Sequence, residues 1–169
     1  MRGSGRQIIV AVTTALGTLT LVMLTPGSLE FFSSGSSIAL AQSRCAPTKP
    51  DMLGPFYTPN APERQRTGQG LAIAGRVLSS GSCAPLARAR LEWWSANGRG
   101  DYDDAHRATE ITDAEGRYRY ETDVPGRYEP RPPHVHVRAS APGHRMLVTQ
   151  LYPTPGQSAI PMDFVLVRE

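Results

Sequence analysis

Sustained helical periodicity is missing from this sequence beyond its first two dozen residues, which argues against a helix bundle or a wound α/β fold. There is no internal repeat and no glycine-rich phosphate loop, so neither a solenoid nor a nucleotide site is expected. Lysine is almost absent: seventeen of the eighteen basic residues are arginine, and they are scattered among acids. Nucleic-acid binding needs a concentrated basic stripe with stacking aromatics, and none is visible. Cysteine is limited to Cys45 and Cys83, and histidine to His106, His134, His136 and His144. Any metal site must therefore draw on few soft ligands.

What is present begins with an export pattern. Arg2 and Arg6 precede an apolar stretch over 8–24, and Ala39-Leu40-Ala41 offers a small-x-small cleavage site before Gln42. The stretch is marginal for a transmembrane helix. The expected organisation is 1–41 as export signal or N-terminal anchor, 42–70 as an irregular arm rich in Pro, Thr, Gly and Arg, and 71–169 as the folded domain. The protein is thus expected to be periplasmic or secreted, and to meet a membrane only if the leader stays attached. There is no Arg-Arg pair and no lipoprotein-type cysteine. The formal charge of +3 falls to about +2 without Arg2, Arg6 and Glu30, which points to no polyanionic partner. An even cysteine count in an oxidising compartment favours a Cys45–Cys83 disulfide over two buried thiols.

Short strand-like runs follow at 71–78, 89–95, 108–112, 117–121, 134–140, 146–152 and 162–167. Turn signals separate them, including Asn97-Gly98, Asp113-Ala114-Glu115-Gly116, Pro125-Gly126 and Pro142-Gly143. About seven such strands predict an all-β, antiparallel sandwich. Trp93 and Trp94 are adjacent, so one should face the core and the other outward, with pocket lining the lesser alternative. Asp103 and Asp104 read as loop solubility, and His144 and His106 as surface residues, although His106 could approach a pocket near Tyr102.

The chemistry concentrates in Arg131-Pro132-Pro133-His134-Val135-His136-Val137. Strand side chains alternate, so His134 and His136 share one face while Val135 and Val137 take the other. The prolines force an extended entry. Two imidazoles on one face are half a metal site; two solvated histidines are the bland alternative. Tyr128 lies six residues upstream of His134, and Tyr102 follows Gly100-Asp101. A phenolate is a hard anionic ligand that suits ferric iron, although either tyrosine could simply end a strand. Two tyrosinates and two neutral imidazoles around Fe(III) would leave a net charge of about +1 and an open position.

These motifs, together with Leu53-Gly54-Pro55-Phe56-Tyr57, Gly75-Arg76-Val77, Pro85-Leu86-Ala87-Arg88-Ala89, Trp94 through Tyr102, Pro125-Gly126-Arg127-Tyr128 and Leu147–Tyr152, resemble the intradiol ring-cleavage dioxygenases. The resemblance implies a transthyretin-like sandwich, a mononuclear Fe(III) held by Tyr102, Tyr128, His134 and His136, and cleavage of a catechol-like diol with O2 to a muconate-type diacid. It implies that Arg131 and Gln150 line the substrate side and that Tyr128 takes a substrate proton. Tyr57 matches a position near the site entrance, or packs the arm. Only five residues separate Tyr128 from His134, where catechol and protocatechuate enzymes carry a longer loop, so short substrate walls are expected. The competing reading is a non-catalytic exported binding module, or a protein that binds iron or catecholates without cleavage. Such a module has no need of two Tyr, two His, Arg131 and Gln150 together. Homo-oligomerisation is left open.

Overall fold

The computed structural model describes residues 45–127 and 129–169, so the leader and Tyr128 lie outside the described residues. The described chain contains no helix. Eight strands follow in order: β1 (Gly70–Ser79), β2 (Arg90–Ala96), β3 (Tyr102–Ile111), β4 (Arg117–Asp123), β5 (Val135–Ser140), β6 (Leu147–Leu151), β7 (Ala159–Pro161) and β8 (Phe164–Leu166). One sheet runs β4-β1-β7 with β8 also on β1; the other runs β3-β2-β5-β6. The sandwich is all-β as expected.

Alternation builds the core. Leu71, Ile73 and Val77 of β1 face Leu91 and Trp93 of β2 and Val135, Val137 and Ala139 of β5 across the interior. Trp93 stacks on Tyr120 at 4.7 Å with 7° between planes and tilts against Phe164 at 5.9 Å. Truncating a core aromatic of this kind costs about 3–5 kcal/mol.

Two details depart from the expected strands. The run expected at 162–167 forms only β8, a separate β7 precedes it, and both pair in parallel with β1 rather than antiparallel. The break sits at Met162-Asp163, where the Asp163 carboxylate accepts from the Arg76 N–H at 2.8 Å in place of a ladder carbonyl. A Cβ on Gly75 would overlap the Met162 carbonyl oxygen, so this crossing depends on a glycine. Strand β3 also begins at Tyr102, earlier than the expected 108, because Asn97 closes the preceding turn. Its side-chain oxygen accepts from the N–H groups of Arg99 and Asp101 at 2.9 and 3.1 Å. A register shift between Trp94 and Ala96 then sets Tyr102 opposite Ala96.

The described residues of the arm before β1 form none of the eight strands but are fastened along their length. Thr48 pairs with Val165, Asp51 with Val148, Arg64 with Thr109 and Thr67 with Glu121 through backbone bonds. Cys45 and Cys83 form a disulfide that ties the arm to the β1–β2 connection, with Cα atoms 5.3 Å apart.

Candidate active site

The outer face of the second sheet carries a cross-strand row: Arg107, Trp94, His136 and Gln150 are successive neighbours on β3, β2, β5 and β6. The alternation that buries Val135 and Val137 in the core therefore aims His134 and His136 outward, under the arm. Trp94 is buried on this face and stacks on the His136 ring at 4.8 Å, 7° from parallel. Both tryptophans are thus inside, because the arm turns an outer face into a second interior. Phe56 of the arm stacks on Tyr102 at 4.2 Å.

Three donor atoms meet at one point. His134 Nε2 and His136 Nε2 lie 3.0 Å apart, and Tyr102 Oη lies 3.1 and 3.2 Å from them. His134 Nδ1 faces the Pro132 carbonyl at 2.7 Å, which places the ring proton there and leaves Nε2 a lone-pair donor. Burial first, then His134 and the Arg131 cation, push the His136 imidazole down to about 3, so it is neutral across the physiological range. The three donor atoms are close enough together to share one cation. Among the described residues no group of three or more His, Cys, Asp or Glu could hold a metal ion, and the group that meets the two imidazoles is the Tyr102 phenol. The donor set fits a hard, acidic cation such as Fe(III). Tyr128, the remaining expected ligand, lies outside the described residues.

Arg131 and Gln150 stand at the pocket beside these donors, together with Met52, Gly54, Pro55 and Phe56 from the arm. Arg131 donates to Gln150 Oε1 at 2.7 Å, to Tyr152 Oη at 2.8 Å and to Met52 Sδ at 2.9 Å. Gln150 Nε2 donates to the Met52 carbonyl at 2.7 Å. Tyr152 reaches Asp51 Oδ2 at 3.0 Å. The Met52 N–H, the Tyr152 hydroxyl and the Arg131 cation hold the Asp51 carboxyl below the usual range, although partial burial opposes them.

Several expectations need correction. Tyr57 packs the arm: it sits edge-on to Trp94 at 5.1 Å and bonds Glu92 and Arg138. His106 is buried between Asp103 and Asp123, at 2.7 and 3.0 Å, and does not line the pocket. Asp103 is therefore a partner of His106 and Asn97, not merely a soluble loop residue. His144 is half-buried and bonds Ser79 at 2.8 Å. The short walls expected from the Tyr128–His134 spacing are supplemented by the arm. Met52 lines the pocket although nothing local in the sequence marks an arm segment as a wall, and Asp51 and Tyr152, outside that lining, connect to it through Arg131; the Gly54-Pro55-Phe56 turn is the available signal.

A family model described as a dioxygenase (Dioxygenase_C) matches residues 54–168. The chain is 34% identical over 133 residues to catechol 1,2-dioxygenase 2 of Acinetobacter lwoffii, covering 58% of this chain and 48% of that protein. It is 36% identical over 137 residues to the protocatechuate 3,4-dioxygenase beta chain of Burkholderia cepacia, covering 66% and 57%. The chain spans about half the length of the curated relatives it matches. Among solved structures, the dioxygenase domain of a dioxygenase–carbohydrate-binding protein fusion from Streptomyces sp. SirexAA-E is similar, with 31% identity, a TM-score of 0.66, and coverage of 73% of this chain and 99% of that one.

Proposed function

We propose that this chain, which belongs to the intradiol ring-cleavage dioxygenase family, uses ferric iron and O2 to open a catechol-like aromatic diol between its hydroxyls, giving a cis,cis-muconate-type diacid. The observation that most supports this reading is the meeting of His134 Nε2, His136 Nε2 and Tyr102 Oη beside Arg131 and Gln150.

In this reading His134, His136, Tyr102 and Tyr128 hold the iron. When bound, the iron supplies the Lewis acidity that chelates both diol oxygens and activates the ring toward O2. The neutral imidazoles bind through Nε2, and His134 keeps its orientation through the Pro132 carbonyl. Trp94 fixes the plane of His136 and shields it from water. Tyr128 takes one diol proton at Oη. Arg131, pinned by Gln150 and Tyr152, presents a preorganised cation to the electron-rich substrate. The reaction runs outside the cytoplasm: the Cys45–Cys83 disulfide suits an oxidising compartment, in line with the leader pattern.

Protein purified with ferric iron should be red-brown from tyrosinate-to-iron charge transfer and should consume O2 with catechol or hydroxyquinol. His136→Ala should lose colour and uptake together. Arg131→Ala should keep the colour while turnover falls at least about a hundredfold. A colourless protein that takes up zinc but never iron overturns the reading, as does a coloured one that consumes O2 with no diol.

A further inference from the structure

We propose that Asp51 sets the substrate charge this site accepts, disfavouring diols that carry a ring carboxylate and favouring uncharged ones; the inference rests on the diol-cleaving reading above. Among the described residues lining the pocket, Arg131 alone carries a full charge, so it is the group a ring carboxylate would seek. A guanidinium grips a carboxylate through two parallel N–H bonds. Here one terminal nitrogen of Arg131 donates to both Gln150 Oε1 and Tyr152 Oη, and the other donates to Met52 Sδ. A carboxylate gripping both terminal nitrogens must displace a bond to Gln150 or Tyr152.

Asp51 adds a repulsive element. Its Oδ2 accepts from Tyr152 Oη at 3.0 Å, and the same Oη accepts from Arg131 at 2.8 Å, so two hydrogen bonds in series join carboxylate to guanidinium. The Tyr152 Oη also lies 2.8 Å from Gln150 Oε1, but its single proton goes to the anionic oxygen, the stronger acceptor. Asp51 does not itself line the pocket, but it is joined to Arg131 through one hydroxyl, so the two opposite charges largely cancel at long range. A ring carboxylate drawn toward Arg131 gains little net attraction and approaches a second anion. The rest of the arm wall, Met52, Pro55 and Phe56, is apolar and suits an unsubstituted or apolar ring. Rejection by an unfavourable contact is a standard route to specificity.

The test compares catechol with 3,4-dihydroxybenzoate on iron-loaded wild type, Asp51→Asn and Asp51→Ser, with Glu115→Gln on the distant β3–β4 turn as charge control. Asparagine can keep the bond from the Met52 N–H, so the arm stays in place. Two readouts are taken: kcat/KM by oxygen uptake, and anaerobic calorimetric binding of each diol. Wild type should prefer catechol. Both Asp51 variants should narrow the preference at least about tenfold, chiefly through KM for the carboxylated diol, and the change should shrink in high salt. Glu115→Gln should leave the ratio unchanged. An unchanged ratio in both Asp51 variants overturns the proposal, as does wild type binding the carboxylated diol as tightly as catechol. If neither diol is consumed, the cleavage reading fails by itself, and the binding ratio still decides the role of Asp51.

Discussion

Gly54 shows how closely the arm fits the His136 ring. Its φ of +73° lies in the left-handed region, and an added Cβ would sit 3.0 Å from His136 Cε1. Both the strain and the contact penalise any side chain. Gly54→Ala should destabilise the protein by about 1–2 kcal/mol. It should also weaken iron binding, because the His136 ring must tilt away from Tyr102 and Trp94. Thermal unfolding checks the first effect and titration of the charge-transfer band the second; a variant with wild-type values in both would show that the arm does not constrain His136.

At the scale of elements, the edge of the sandwich between β3 and β4 carries two buried titratable groups with opposite pH signatures. His106 of β3 bonds Asp103 and Asp123, the latter at the end of β4. Burial alone would lower its imidazole, but the two carboxylates outweigh it and raise it above the usual value. A raised folded-state value means stability that is fully present below about 6.5 and lost as pH rises through the folded value. His106→Asn should therefore cost most at pH 5–6, on the order of 1 kcal/mol given the partly exposed carboxylates, and less at pH 8. Glu110 behaves in the reverse sense. Burial raises its carboxyl despite bonds from the Arg119 N–H and the Gln65 amide, and its Oε2 is buried with no hydrogen-bond partner. Its ionisation penalises the fold above the ordinary glutamate range, so Glu110→Gln should stabilise at pH 7 by on the order of 1 kcal/mol and have little effect near pH 4. Denaturant curves across that pH range check both predictions.

The same elements show what was legible beforehand. Period-two alternation is enough to separate the face of His134 and His136 from the core face of Val135 and Val137, because it depends only on local strand geometry. The parallel pairing of β7 and β8 was not legible. It arises from Gly75 passing the Met162 carbonyl and from the Asp163 side chain, contacts between residues about ninety positions apart. His106 was misjudged as surface for a similar reason: Asp123 comes from a different strand. The inward Trp94 required knowledge of where the arm lies.

For the whole molecule, the disulfide and the arm act as one unit. The Cys45–Cys83 bond closes a loop spanning 38 positions, which contains the segment that walls the pocket. Cys45→Ser with Cys83→Ser should lower stability by about 4 kcal/mol in the chain-entropy account. It should also slow diol turnover, as Phe56 leaves Tyr102 more often. Unfolding in the presence and absence of reductant, with oxygen uptake measured alongside, checks this; wild-type behaviour in both would show that the backbone bonds hold the arm unaided.

Those backbone bonds carry a consequence for the order of assembly. Thr48 pairs with Val165, in the final strand, through bonds from both residues' N–H groups. The wall nearest the beginning of the domain thus docks on a strand made near its end. Contacts of such separation form late, because the intervening chain must first be brought together. The arm wall can close over the His134–His136 face only after β8 has been made, so in the iron-dependent reading proposed above metal loading should follow folding of this domain.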